Sequence, residues 1–158
     1  MIYYDQNGIV VRTAIKSDVD YLKTRLRKSD IDEVWASDHF DPETALRISL
    51  EKSLWSATVQ NGHPIAMFGI NPEIILGDKA VVWFLATDDL KLIERRFLRN
   101  SKKFIKLMLG YYGVLYNYVK ADHHEAIAWL TFLGAKIDEP KPYGKEQKLF
   151  RFFKFERK

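Results

Sequence analysis

The 158-residue chain contains no cysteine. That absence excludes a disulfide-stapled scaffold, a thiolate zinc site and a cysteine nucleophile together, and it fits synthesis in a reducing cytosol. Glycine and proline are scarce, at 8 and 5 residues; with no glycine period, repeat or Gly/Ser tract, the chain reads as neither fibrous nor linker-rich. No apolar run is long enough to span a bilayer. Residues 1–8 are polar and aromatic rather than a basic stretch leading into an apolar segment, so neither a membrane span nor a secretion signal is expected. Without a Gly-x-Ser-x-Gly elbow or a Walker loop, serine hydrolase and nucleotide triphosphatase chemistry has no support. The four histidines, His39, His63, His123 and His124, lack metal-ligand spacing, and no metal is expected. Nor does one sign of charge dominate: 25 basic against 21 acidic residues give a net charge of +4, a mild excess that does not demand nucleic acid.

What the chain does have is a core. With 47% hydrophobic and 14% aromatic residues it can close one domain over 1–158, and it is too short for two. The β-branched residues 9–13 predict a strand, and Ser17-Asp18-Val19-Asp20 after it resembles a capping box with Asp in place of Glu. Val19, Leu22 and Leu26 then mark one helix, and Ile31, Val34 and Trp35 a second short one. Asp41-Pro42-Glu43 starts a third, to about Ser53, with Asp41 as N-cap and Pro42 at the first helical position, where a missing NH costs nothing.

Residues 55–60 and 65–70 read as a hairpin around Asn61-Gly62, a pair that permits positive φ at both central positions. The unbroken apolar run at 80–86 predicts a central strand buried on both faces. After it, Thr87 or Asp88 is positioned to cap a helix reaching Leu109, in which Ile93, Phe97, Phe104 and Met108 face inward and the outer face is basic. Residues 114–119 give a strand. Residues 122–133 give a helix with Ile127, Leu130 and Leu133 inward, stopped by Gly134. A short strand at 135–137, a loop at 139–144 and a last strand at 148–155 follow; Arg151 and Lys154 alternate with phenylalanines there, the pattern of an edge strand with charges outward. With the short 31–35 segment counted together with the helix before it, the order β-α-α-β-β-β-α-β-α-β-β predicts a mixed α/β or α+β class, with parallel or near-parallel neighbours across the two crossovers.

That order, with the segment Asn117-Tyr118-Val119-Lys120-Ala121-Asp122-His123-His124-Glu125-Ala126-Ile127-Ala128-Trp129-Leu130-Thr131-Phe132-Leu133-Gly134-Ala135, resembles the second half of a GNAT-type N-acetyltransferase. In that superfamily a strand leads to Asn-x-x-Ala-Ile-x-x-Tyr-x-x-Leu-Gly-Phe. Within it the chain is most similar to the phage internal virion protein A family, through Asp41-Pro42-Glu43-Thr44-Ala45-Leu46, Met67-Phe68-Gly69, Trp83-Phe84-Leu85-Ala86-Thr87, Arg96-Phe97-Leu98-Arg99-Asn100-Ser101, the 129–134 segment and Pro142-Tyr143-Gly144. The resemblance implies a central mixed, mostly antiparallel sheet of six to seven strands flanked by about four helices.

The resemblance also implies a site for acetyl-CoA. Such a fold offers strand backbone, here at Leu85, Ala86 and Thr87, to pair with the pantetheine amides, and a helix N-terminus to receive the pyrophosphate. The superfamily motif Arg/Gln-x-x-Gly-x-Gly/Ala is absent. The best register sets Arg96, Arg99, Asn100, Ser101 and Lys102 against it as phosphate contacts, with Arg99 and Ser101 in the glycine slots; a solvated helical stripe of Arg95, Arg99, Lys102 and Lys106 has the same spacing. Leu130 stands where the superfamily often has a tyrosine acid, and His123 replaces the asparagine. Tyr143 is then the candidate acid and Asp88 the candidate base, with Asp89 beside it and Glu33 ranked lower; a loop anchor and a helix cap are the simpler roles for Tyr143 and Asp88. Tyr111, Tyr112, Tyr116 and Tyr118 read as sheet surface and core rather than as stacking platforms for nucleic acid.

Two functions follow. One is acetyl transfer from acetyl-CoA to an amine of a host or phage protein. The other is a catalytically inactive phage structural or assembly protein that keeps the scaffold, located in the host bacterial cytoplasm or packaged in the virion.

Overall fold

In the computed structural model, which describes residues 1–158, the chain opens with a hairpin. β1 (Ile2–Gln6) and β2 (Ile9–Thr13) pair antiparallel around Asn7-Gly8, whose φ angles of 55° and 80° fit a tight primed turn. β1 lies in the stretch that composition marked only as polar and aromatic.

Three helices follow: α1 (Lys16–Leu22), α2 (Lys28–Asp38) and α3 (Pro42–Lys52). The start of α1 differs from the capping box expected at Ser17 to Asp20. Asp18 reaches back to the Ile15 NH at 2.9 Å, because Asp18 is drawn inward by Arg12 and Thr58, while Asp20 stays in solvent. α3 starts as read, with the Asp41 carboxylate accepting the Thr44 NH at 2.8 Å.

β3 (Trp55–Gln60) and β4 (Pro64–Pro72) form the second hairpin. Its turn is wider than the two-residue form. The Asn61 NH bonds to the His63 carbonyl at 3.0 Å and of the Asn-Gly pair only Gly62 has positive φ, at 76°, so the extra residue is absorbed by a register shift at Val59/Gln60. Then come β5 (Lys79–Ala86), α4 (Leu90–Leu109), β6 (Val114–Lys120), α5 (His124–Leu133), β7 (Lys136–Ile137), β8 (Lys141–Tyr143) and β9 (Lys148–Glu156). Gly134 ends α5 at φ 97°, as expected.

All nine strands belong to one sheet in the order β1-β2-β3-β4-β5-β6-β9-β7, with β8 also paired to β9. The sheet is larger than the six to seven strands expected, because β1 joins it and β8 forms in the stretch read as a loop at 139–144, and five helices rather than about four flank it. Only β5 and β6 pair in parallel. β9 inserts between β6 and β7, so the second crossover does not produce neighbours, and β9 is an interior strand rather than an edge.

The two faces separate cleanly. α4 and α5 cover the face bearing Phe68, against which α4 packs Phe97, Phe104 and Met108. α1 and α3 cover the opposite face, where Leu22, Leu46, Met67, Trp83 and Leu85 are buried. The alternation of Met67 and Phe68 along β4 feeds both layers, and each such side chain stabilises by about 1.5–3 kcal/mol on burial.

α2 is placed by polar contacts instead. Ile31 and Trp35, read as part of its apolar stripe, are exposed, whereas Asp30 and Ala36 are buried. Its C-terminus is clasped by the β8–β9 turn: the Lys145 and Glu146 NH groups donate to the Ser37 and Ala36 carbonyls at 3.0 and 3.1 Å.

Candidate functional site

β5 and β6 are zipped at one end and open at the other. They pair at Lys79/Val114, Ala80/Leu115 and Val81/Tyr116 and no further, although both run on to Ala86 and Lys120. Asp78 secures the closed end, its carboxylate accepting the Gly113 NH at 2.7 Å. The divergence begins at Asn117. Its side-chain amide donates to the Val82 carbonyl at 2.7 Å and its oxygen accepts the Tyr118 NH at 2.8 Å. One carboxamide thus satisfies one backbone group on each strand where the ladder stops.

Aromatic side chains fill much of the opening on the α4/α5 side. Phe84 packs edge-on to Trp129 at 5.3 Å between ring centroids, and Trp129 meets Phe97 at 5.8 Å. A cavity of about 160 Å³ remains between the opened strands and helices α4 and α5. Trp129 Nε1 is buried with no hydrogen-bond partner.

From the other side, α2 closes the strand ends. The Asp30 carboxylate accepts the Ala86 NH at 2.9 Å and the Arg27 guanidinium at 2.8 Å, and the Arg27 NH donates to the Ala86 carbonyl at 2.8 Å. Burial pushes the Asp30 carboxyl above its ordinary pKa, while Arg27 and the Ala86 NH pull against that. Glu33, one turn along, accepts the Lys120 NH. Its second oxygen lies 3.8 Å from Nδ1 of His123. The His123 ring is buried, with no hydrogen-bond partner at either nitrogen.

Outside this closure lies a polar recess of about 420 Å³ at the start of α4. Asp88, Glu94, Asp122 and Glu125 line it against Arg27, Lys28 and Lys91. The first NH groups of α4 are already engaged: Leu90, Lys91 and Leu92 donate to the Thr87, Asp88 and Asp89 carbonyls at 3.2, 3.2 and 3.0 Å. Neither Thr87 nor Asp88 is the N-cap. Asp89 occupies that position without a side-chain cap bond, and Thr87 Oγ1 accepts the Asp89 NH at 3.3 Å.

Several of the groups that acetyl-CoA would use are engaged in this conformation. A pyrophosphate at the recess would meet NH groups already engaged, and four carboxylates beside Arg27, Lys28 and Lys91. A pantetheine arm requires strand amides, and Ala86 and Lys120 have given theirs to Asp30 and Glu33. Thr87 donates to the Ile65 carbonyl at 2.8 Å and bridges to Leu26, and Leu85 pairs with Met67 in the sheet.

The residues set against the phosphate motif lie within the body of α4 rather than at its tip. Arg96 donates to the Asn7 carbonyl at 3.1 Å, and Asn100 to the Tyr4 hydroxyl at 3.1 Å. Ser101 is buried and donates to the Phe97 carbonyl at 2.6 Å. Arg99 is exposed, and the Lys102 ammonium sits 4.7 Å over the Phe132 ring. Nor are Tyr143 and Asp88 brought together. Asp88 is exposed on the polar recess; Tyr143 stacks on Tyr118 at 3.7 Å, where burial, and then the Asp38 and Tyr118 charges, push its hydroxyl pKa up. Leu130 does line the cavity. Asp30 was not singled out from sequence; its signal was the Asp30-x-x-Glu33 spacing, which puts both carboxylates on one helix face.

Comparison with known proteins identifies the fold. A putative ribosomal-protein-serine acetyltransferase from Vibrio cholerae superposes with TM-score 0.68 over 99% of this chain and 98% of that one, at 14% identity. The ribosomal-protein-S5-alanine acetyltransferase from Vibrio fischeri gives 0.69 over 99% and 96%, at 12% identity. The spermidine N-acetyltransferase from Vibrio cholerae, solved in complex with CoA and spermine, gives 0.61 over 94% and 95%, at 8% identity. The fold is that of the GNAT acetyltransferases. A family model described as Bacteriophage T7, probable scaffold protein Gp13, matches residues 66–140, a little under half of the chain. No curated protein sequence matches.

Proposed function

We propose that this chain is a phage assembly or virion protein of the internal virion protein A type, which keeps the acetyltransferase frame without thioester chemistry. The observation that carries this reading is the engagement of the Ala86 and Lys120 amides by Asp30 and Glu33. The likeness of residues 66–140 to a phage scaffold family supports the setting. In this reading the protein works in an infected bacterium or inside the particle, and its partners are virion or host proteins.

A second reading is favoured by one feature, the divergence of β5 and β6 around a cavity. There the chain binds acetyl-CoA along residues 85–87, with Arg96, Arg99, Asn100, Ser101, Lys102 and His123 contributing contacts, and acetylates an amine with Asp88 as base and Tyr143 as acid. That reading requires α2 to leave the strand ends. Following thermal unfolding while titrating acetyl-CoA separates the two. The assembly reading expects no shift at millimolar concentration. A ligand at 100 times its dissociation constant would stabilise by about 2.7 kcal/mol, and a saturable rise of that kind, abolished by Arg99→Glu, would establish the second reading instead.

A further inference from the structure

We propose that Asp30, Glu33 and His123 bind one divalent first-row transition-metal cation, which pins α2 to the open ends of β5 and β6. Each of the three offers a ligand atom, and these atoms lie within 4.8 Å of one another. The His123 side chain is 8% exposed, and both its ring nitrogens are buried without a hydrogen-bond partner. A buried imidazole in that condition has lost water at both nitrogens and gained nothing in return.

The geometry suits a metal. Metal–ligand bonds of about 2.0–2.2 Å set adjacent donor atoms roughly 3–4 Å apart, and Nδ1 of His123 stands 3.8 Å from the second Glu33 oxygen. The hydrogen bonds already described are preserved, since Asp30 uses Oδ2 and Glu33 uses Oε1 for them. Asp30 Oδ1 and Glu33 Oε2 are thereby left to ligate the ion. Asp30 is 2% exposed and has Glu33 as a negative neighbour and Arg27 as a positive one, so two carboxylates against one guanidinium leave negative charge for a cation to offset. Carboxylates outnumber Arg27, Lys28 and Lys91 in the adjoining recess by four to three, and water from that recess supplies the remaining ligands. Two carboxylates and one imidazole without a thiolate point to Zn²⁺, Mn²⁺ or Co²⁺ rather than to a soft ion. The proposal does not depend on the assembly reading, and its probe differs.

The test is calorimetric titration of the chelator-stripped full chain with Zn²⁺, alongside visible absorption with Co²⁺. One equivalent is expected per chain, with d–d bands for Co²⁺. His123→Ala and Glu33→Gln should each weaken binding at least about 10-fold, while His124→Ala, at the exposed neighbour, leaves it unchanged. Should His123→Ala fail to fold, Glu33→Gln carries the test, because its amide oxygen still accepts the Lys120 NH. Failure of the unaltered chain to bind Zn²⁺, Co²⁺ and Mn²⁺ saturably, or unchanged binding in a folded Glu33→Gln or His123→Ala variant, overturns the proposal.

Discussion

Asp30 of α2 accepts the backbone NH of Ala86, the last residue of β5, across 56 positions of sequence. The contact joins two layers of the fold at the point where the sheet has opened. Asp30→Ala leaves the Ala86 NH and the Arg27 guanidinium without their acceptor. Removing one member of a buried charged pair costs about 3–5 kcal/mol, and urea denaturation should show a loss of that size.

Asn117 holds the divergence itself. With Asn117→Ala, the Val82 carbonyl and the Tyr118 NH both lose their partner. The expected loss is about 1–3 kcal/mol per group left unsatisfied, together with faster amide exchange at Tyr118 in hydrogen-exchange measurements.

Acid should weaken the fold through Asp18. Burial raises its carboxyl pKa, but the paired Arg12 guanidinium, the Ile15 NH and the Thr58 hydroxyl more than reverse this and hold it below the ordinary 3.8. A depressed folded-state pKa means a contribution fully present above the ordinary value and lost as pH falls through the lowered one. Stability measured against pH should therefore drop below about pH 4. Asp18→Asn should flatten that acid limb and cost about 3–5 kcal/mol at neutral pH.

Two glycines of nearly equal backbone make a matched pair. Gly144 and Gly62 have φ of 75° and 76°. A Cβ at Gly144 would stand 2.6 Å from Ser37 Cα, whereas one at Gly62 meets nothing within 4 Å. Gly62→Ala should cost about 1–2 kcal/mol of left-handed strain. Gly144→Ala adds displacement of α2 from the β8–β9 turn and should cost about 2–5 kcal/mol in the same denaturation assay.

The contrast between these elements explains what could be read in advance. β3, β5, α4 and α5 carry periodic apolar residues that pack on one sheet, so spacing alone located them within a residue or two. Their order carried the GNAT resemblance. β1 is harder to read because its residues 2–6 are largely polar or aromatic and only Tyr4 among them is buried, so no apolar alternation marks the strand before the Asn7-Gly8 turn. The site was less legible. α2 turns Asp30 inward because the opened strands leave amides that need acceptors, a demand set by residues 86 and 120 and invisible in the local pattern of residues 28–38. Arg96 to Lys102 lie past the first turn of the helix expected to reach Leu109, in the body of α4 rather than at the N-terminus where a phosphate motif acts.

The central claim is that the carboxylates of α2 occupy the place a thioester carrier would take. The most direct measurement is the amide NMR spectrum of the full chain with millimolar acetyl-CoA added. The Ala86 and Lys120 NH resonances should stay where they are. A saturable movement of both, with loss of their protection from exchange as Asp30 and Glu33 withdraw, would contradict the account.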